Sequence, residues 1–257
     1  MLKKILTISS IVLVVAGLLT LTSYSYHLQS TQNINEVIVH IDNNNHVGFI
    51  LPEEINHMIN PKDTLLTYRM CDLDTKVIET ALSNNPFIEK ADCYGGLDGG
   101  LYVNIKEKNP VVRVYEKSTS YYIDEKGAFF PINKNHAPRV IIANGHFREM
   151  RKKDHQNIYD SVYTATPLPD LYHLVSEIRS NDLLSAQISQ IYYTSRGEWE
   201  LVPELGGHII KLGSLNNLEE KLDNLIAFYH DLSHRDDWDN YQIINLTFNN
   251  QIVCTKK

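Results

Sequence analysis

Three hydrophobic patterns divide the chain. The first is unbroken: from Ile5 to Leu21 only Thr7, Ser9, Ser10 and Thr20 interrupt an apolar run that follows Lys3 and Lys4 directly. Extended through Ser23, it reaches about the 20 residues that cross a bilayer, and Tyr24 and Tyr26 suit the interfacial aromatic belt. No Lys or Arg follows until Lys62, so the positive-inside bias sets the amino terminus in the cytoplasm and the bulk outside. Residues 5–23 read as a retained anchor in the lipid bilayer. A basic start, an apolar run and the small pair Ser23 and Ser25 also describe a cleavable signal peptide, and that alternative stays open.

The second pattern mixes periods. After a polar linker over residues 25–36, Val37 to Ile41 read as a strand, ended by Asp42-Asn43-Asn44-Asn45. Pro52 suits a first helical position, and Ile55, Met58 and Ile59 share a face before Asn60-Pro61. Asp72 or Asp74 can cap a second helix lined by Leu73, Val77, Ala81 and Leu82, and Asn84-Asn85-Pro86 ends it. Phe87 to Tyr94 form a strand whose faces are poorly sorted, whereas Leu101, Val103 and Ile105 alternate cleanly with polar neighbours. Between them lies Gly95-Gly96-Leu97-Asp98-Gly99-Gly100. A glycine cluster can cradle phosphate where a strand leads into a helix; here strand leads into strand, which makes it a hairpin turn. Residues 37–108 therefore spell strand, helix, helix, strand, strand, with two helices covering one face of a three-stranded sheet.

The third pattern, over residues 109–257, is mainly strand: Val111 to Tyr115, Tyr121 to Asp124, Ala128 to Ile132 and Arg139 to Ala143. Asp124-Glu125-Lys126-Gly127 forms a tight hairpin loop. Helices are expected over Asp154 to Thr164 and Asp170 to Ser180, then a meander of Ile188 to Thr194, Glu198 to Val202 and His208 to Leu212. Leu215, Leu218, Leu222, Leu225, Ile226, Tyr229 and Leu232 form the strongest apolar stripe at helical spacing, with Ser214 placed to cap it. Tyr241 to Leu246 and Gln251 to Cys254 close the chain as strands around a turn at Asn249-Asn250. The fold class is α+β, with one amino-terminal helix, a β-α-α-β-β domain and a mainly β domain carrying a long helix on its sheet.

Composition narrows the function. A formal net charge of -7 gives no basic face for nucleic acid. Arg148, Arg151, Lys152 and Lys153 are a local exception, read as a solvated segment. Cys71, Cys93 and Cys254 show no metal spacing; a Cys71 to Cys93 bridge is possible, but packing in the core suits small cysteines better. His230 and His234 stand one helical turn apart before Asp236 and Asp237, a spacing that can hold zinc. Yet Asp231 stands where a metalloprotease needs glutamate, and histidines at a helix end favour its dipole. No set of side chains assembles into catalytic roles and no cofactor is implied. A periplasmic metal-dependent hydrolase around His230 and His234 is the remote enzymatic alternative.

Local sequence adds a resemblance. Asn85-Pro86-Phe87-Ile88-Glu89-Lys90-Ala91, Val103-Asn104-Ile105-Lys106-Glu107 running on to Pro110-Val111-Val112, and Tyr122-Ile123-Asp124-Glu125-Lys126-Gly127-Ala128-Phe129-Phe130 resemble, in order, motifs of the FtsQ/DivIB cell-division family. So do Leu212-Gly213 leading into Glu220-Lys221-Leu222, and Ile244-Asn245-Leu246-Thr247-Phe248. Arg148 to Asp182 matches no family motif closely. The resemblance implies a polypeptide-transport-associated (POTRA) domain beside the membrane and a β domain, forming a non-enzymatic scaffold at the septum in the cell inner membrane. It implies FtsB-like and FtsL-like partners, with other division proteins meeting the POTRA-like domain. The family's final strands carry the contact with FtsB, which assigns partner binding to Phe248, Ile252, Val253 and Cys254. An envelope binding or export-associated POTRA protein is the alternative.

Overall fold

The computed structural model describes residues 2–30, 33–42, 48–60, 65–96, 98–117, 119–133, 136–147, 156–235, 240–248 and 251–257; side chains of 2–8, 25–30 and 233–235 are excepted. It divides into two compact units, Met1–Glu107 and Lys108–Lys257.

The first unit opens with helix α1 (Leu2–Ser30), whose Ile11, Leu13, Leu18 and Leu21 are exposed. Among the described residues no helix is long and apolar enough to cross a membrane. Strand β1 (Glu36–Asp42), helices α2 (Pro52–Ile59) and α3 (Thr75–Ser83), and strands β2 (Ile88–Gly95) and β3 (Gly100–Glu107) follow. The sheet order is β1-β3-β2, with β1 parallel and β2 antiparallel to β3. Pro52 opens α2, and Asp74 caps α3 by accepting a hydrogen bond from the Lys76 N–H at 3.0 Å.

The α3 face is rotated from expectation, and the α2 face is narrower than expected, held by Ile55 with Ile59 half-buried. Ile55 is buried but Met58 is exposed, and α3 buries Ile78 and Leu82, four residues apart, while Val77 and Ala81 face solvent. A bulge between Ile88 and Lys90 explains the poorly sorted strand: it shifts the alternation by one, so Ile88, Ala91 and Cys93 all reach the core. The glycine segment closes the β2–β3 hairpin, with the Gly96 N–H donating to the Gly100 carbonyl at 2.8 Å.

The second unit contains a nine-stranded mixed sheet among the described residues, in the order β12-β11-β10-β9-β8-β7-β4-β5-β6. In chain order its strands are β4 (Pro110–Tyr115), β5 (Ser120–Asp124), β6 (Phe129–Pro131), β7 (Ile141–Gly145), β8 (Ile188–Tyr193), β9 (Trp199–Pro203), β10 (Ile209–Gly213), β11 (Tyr241–Asn245) and β12 (Val253–Lys256). Helices α4 (Leu168–Arg179), α5 (Asp182–Gln187) and α6 (Leu218–Arg235) bury Leu171, Leu174, Ile178, Leu184, Leu222, Leu225 and Tyr229 in one core with Val112, Ile123, Ile191, Leu201 and Ile244. The meander holds as β8-β9-β10. By contrast, β4–β7, β7–β8 and β10–β11 are parallel and need crossover connections.

Two local expectations are corrected. The helix expected over Asp154 to Thr164 is absent from its described part: Asn157 bridges Ala128, and only a 3-10 turn forms at Ser161–Tyr163. The Asn157, Asp160 and Thr164 side chains hydrogen-bond backbone groups two or three residues away, which competes with the helix. Ser214 does not cap the long helix, which begins at Leu218. Asn217, at φ 53°, supplies the first helical carbonyl, which accepts from the Lys221 N–H.

Candidate functional site

The terminal strand is positioned from α6 outward. Lys221 donates from its Nζ to the carbonyls of Leu212 at 3.0 Å and Ser214 at 2.7 Å, fixing α6 to the end of β10. Burial lowers this amine's pKa. At the β10 end Gly213 has φ 74°, and a Cβ there would come within 2.8 Å of the Thr247 methyl, so both backbone and space require glycine. The Leu246 N–H continues the β10–β11 pairing by donating to the Lys211 carbonyl. Asn245 then turns the chain: its Oδ1 accepts from the Thr247 N–H at 2.9 Å and the Thr247 hydroxyl at 2.7 Å, which sets the direction of Phe248.

Strand β12 returns antiparallel to β11, with Val253 opposite Asn245 and Cys254 opposite Ile244. Among the described residues no strand pairs with its other side. The Lys257 N–H donates to the Asn240 carbonyl, so alternation turns the main-chain N–H and C=O groups of Cys254 and Lys256 away from β11.

The four predicted partner residues divide by burial. Ile252 and Cys254 pack against the hydrophobic core, and burial raises the Cys254 thiol pKa. Phe248 and Val253 are 48% and 41% exposed. The edge therefore offers backbone groups together with two outward apolar side chains, an arrangement suited to accepting a strand.

None of the three cysteines is disulfide-bonded: Cys71 is exposed, Cys93 buried and Cys254 between the two. His230 is exposed on α6. The His234 side chain, Asp236 and Asp237 lie outside the described residues, as do Arg148, Arg151, Lys152 and Lys153. Among the described residues no three His, Cys, Asp or Glu side chains gather as a metal site.

Several motif residues have structural jobs that sequence spacing alone did not reveal. Glu107 is buried and accepts from the Ile50 N–H at 2.7 Å. Asp124 is buried and accepts from the N–H groups of Lys126 and Ala128 at 2.9 and 2.8 Å. Lys221 is the α6 clamp.

The chain is a β-α-α-β-β unit followed by a mixed-sheet unit whose terminal strand is open among the described residues. A profile described as POTRA-like domain matches residues 32–106. A second, FtsQ/DivIB, C-terminal related, matches residues 109–255, more than half of the chain, and the chain belongs to that family. Among curated proteins it is similar to the cell division protein FtsQ of Geobacter sp. (strain M21), 24% identical over 200 residues that cover 77% of this chain and 68% of the relative.

Proposed function

We propose that the protein is a non-enzymatic scaffold of cell division that joins division proteins outside the cytoplasmic membrane, with β12 as the contact for an FtsB-like, FtsL-associated partner. Family membership and the name of the Geobacter relative support the division role. The observation that carries the partner reading is the open edge of β12, which has Val253 and Phe248 outward and Ile252 and Cys254 on the core. An incoming strand gains main-chain hydrogen bonds along Cys254 and Lys256, and its side chains meet the two apolar residues.

In this reading the apolar run of residues 5–23 holds the scaffold to the inner membrane, its amino terminus in the cytoplasm; that reading rests on the sequence, since no described helix is long and apolar enough to cross a membrane. Two features of α1 agree with it. Its exposed side chains over Ile11 to Leu21 are almost all apolar, and its threonine hydroxyls are satisfied within the helix: Thr20 donates to the Gly17 carbonyl at 2.9 Å and Thr22 to the Leu19 carbonyl at 3.0 Å.

A fluorescent fusion in cells depleted of the native copy tests the role. The parent collects at midcell and restores division; Val253→Glu stays at the membrane, accumulates to the same level and fails to restore division. Full rescue by Val253→Glu would remove β12 from the account, and a parent fusion spread around the whole envelope would remove the division role. Fractionation with amino-terminal sequencing tests the anchor: a soluble mature chain starting near Tyr26 would overturn it.

A further inference from the structure

We propose that the outer face of the first unit's sheet is a binding platform for a neutral oligosaccharide, laid across the row Ile38, Tyr102 and Tyr94. The site is separate from β12 and does not depend on the membrane anchor.

Alternation assigns that row to the outer face. Leu101, Val103 and Ile105 of β3 are buried, so the residues between them turn the other way. Register then sets Ile38 of β1 and Tyr94 of β2 on either side of Tyr102, an apolar and aromatic stripe that crosses all three strands over about 10 Å. The stripe is accessible: Tyr94 is 50% exposed, and Ile38 and Tyr102 are half-buried.

The aromatic part is held in place from several sides. Tyr102 donates from its hydroxyl to the Asp98 carboxylate at 2.7 Å, and the Gly100 N–H fixes the same carboxylate at 3.0 Å. The Tyr102 ring lies against the glycine-rich hairpin, where a Cβ on Gly96 would come within 2.5 Å of it and one on Gly100 within 3.3 Å. Tyr94 stacks beside it, with ring centroids 5.4 Å apart and planes 7° from parallel. The glycine segment thus does more than reverse the chain. It seats one ring of a pair that is already ordered before any ligand arrives.

Hydrogen-bonding groups border the stripe on both sides. His40, Asn104 and Asp92 form the next cross-strand row, and Glu36 and Asp98 stand on the hairpin side. Asn104 is half-buried and His40 exposed, and neither side chain hydrogen-bonds another described residue. The lysines of this face, Lys90 and Lys106, are held in ion pairs with Asp92 and Glu89.

An apolar stripe between two polar borders matches a chain of pyranose rings. Axial C–H groups pack on aromatic faces, while the hydroxyls leave the ring edge towards amide, imidazole and carboxylate groups. A peptide strand would need a free sheet edge, an amphipathic helix a broad apolar groove, and a nucleic acid a basic surface.

The probe is chitohexaose, an uncharged chain whose rings carry axial C–H groups on both faces, labelled at its reducing end and followed by fluorescence anisotropy. The full chain is held in a polyoxyethylene detergent, which has no sugar headgroup to compete. Binding to the parent saturates at about millimolar affinity or tighter. Tyr94→Phe keeps the ring and binds as the parent does, whereas Tyr94→Ala and Asn104→Leu each weaken binding at least about tenfold. Melting curves check the fold of both, and Asn104→Leu, which nearly preserves side-chain size, carries the test if Tyr94→Ala destabilises the sheet. Val253→Glu binds the sugar as the parent does.

The proposal is overturned if the parent shows no saturation, or if Tyr94→Ala and Asn104→Leu both bind as tightly as the parent. It is also overturned if labelled hexalysine binds the parent, loses that binding in Tyr94→Ala and is not displaced by chitohexaose, which would assign the rings to a cation instead.

Discussion

Lys221 reaches from the first turns of α6 to the Leu212 carbonyl at 3.0 Å, tying the long helix to the strand beside which β11 and β12 are laid. A charged donor satisfying two carbonyls at a partly buried site contributes more than a surface pair. Lys221→Met keeps the stem and removes the charge. It is expected to destabilise the second unit by about 2 kcal/mol, read as a lower urea midpoint at unchanged slope.

Asp124 organises the hairpin between β5 and β6 in the same way. Asp124→Ala leaves the N–H groups of Lys126 and Ala128 without their acceptor and is expected to cost about 2 kcal/mol. Asp124→Asn retains an acceptor oxygen and should cost less than half of that, measured by the same denaturation.

Stability should fall on the alkaline side. Burial pushes the Tyr229 phenol pKa up, and its hydroxyl lies 3.1 Å from His208 Nε2. Burial also pushes the Cys93 thiol from 9.0 to about 11, with Glu79 and Asp92 adding to the rise. Both groups hold their protons more tightly when folded. Their contribution is therefore complete below the unfolded values and lost as pH climbs through the window above them. Melting temperature is expected to drop from about pH 9 upward, and Tyr229→Phe should shallow the slope above about pH 10. A flat profile to pH 11 would contradict the burial of these groups.

The three thiols should react in order of exposure. Cys71 is open, Cys254 half-buried and Cys93 enclosed, with its thiolate disfavoured at neutral pH. Maleimide labelling followed by peptide mass mapping is expected to modify Cys71 first and Cys93 only after unfolding.

Most elements were legible because they are amphipathic over a single period: the α6 stripe and the Leu101, Val103, Ile105 alternation reappear as buried faces. Sheet order was not legible. Parallel neighbours such as β4 and β7 are joined through distant segments, and local pattern carries no record of them. The α3 face was misread because Val77 and Ile78 are equally apolar, and only packing decides which turns inward. Around Asn157 to Thr164, apolar residues at helical spacing were outweighed by short polar side chains bonding their own backbone. At the terminal strand the alternation of Ile252, Val253 and Cys254 could be read from sequence, but the open edge beside them could not.

The central claim, that β12 receives a partner strand, is tested most directly by calorimetric titration of the full chain with the extracytoplasmic segment of an FtsB-like protein, the proposed partner. Val253→Glu sets a charge on the outward face and should leave the core intact, so its melting temperature is expected to stay within a few degrees of the parent while affinity falls at least about tenfold. Unchanged affinity in both Val253→Glu and Phe248→Ala, with normal melting, would contradict the claim and move the interface away from this edge.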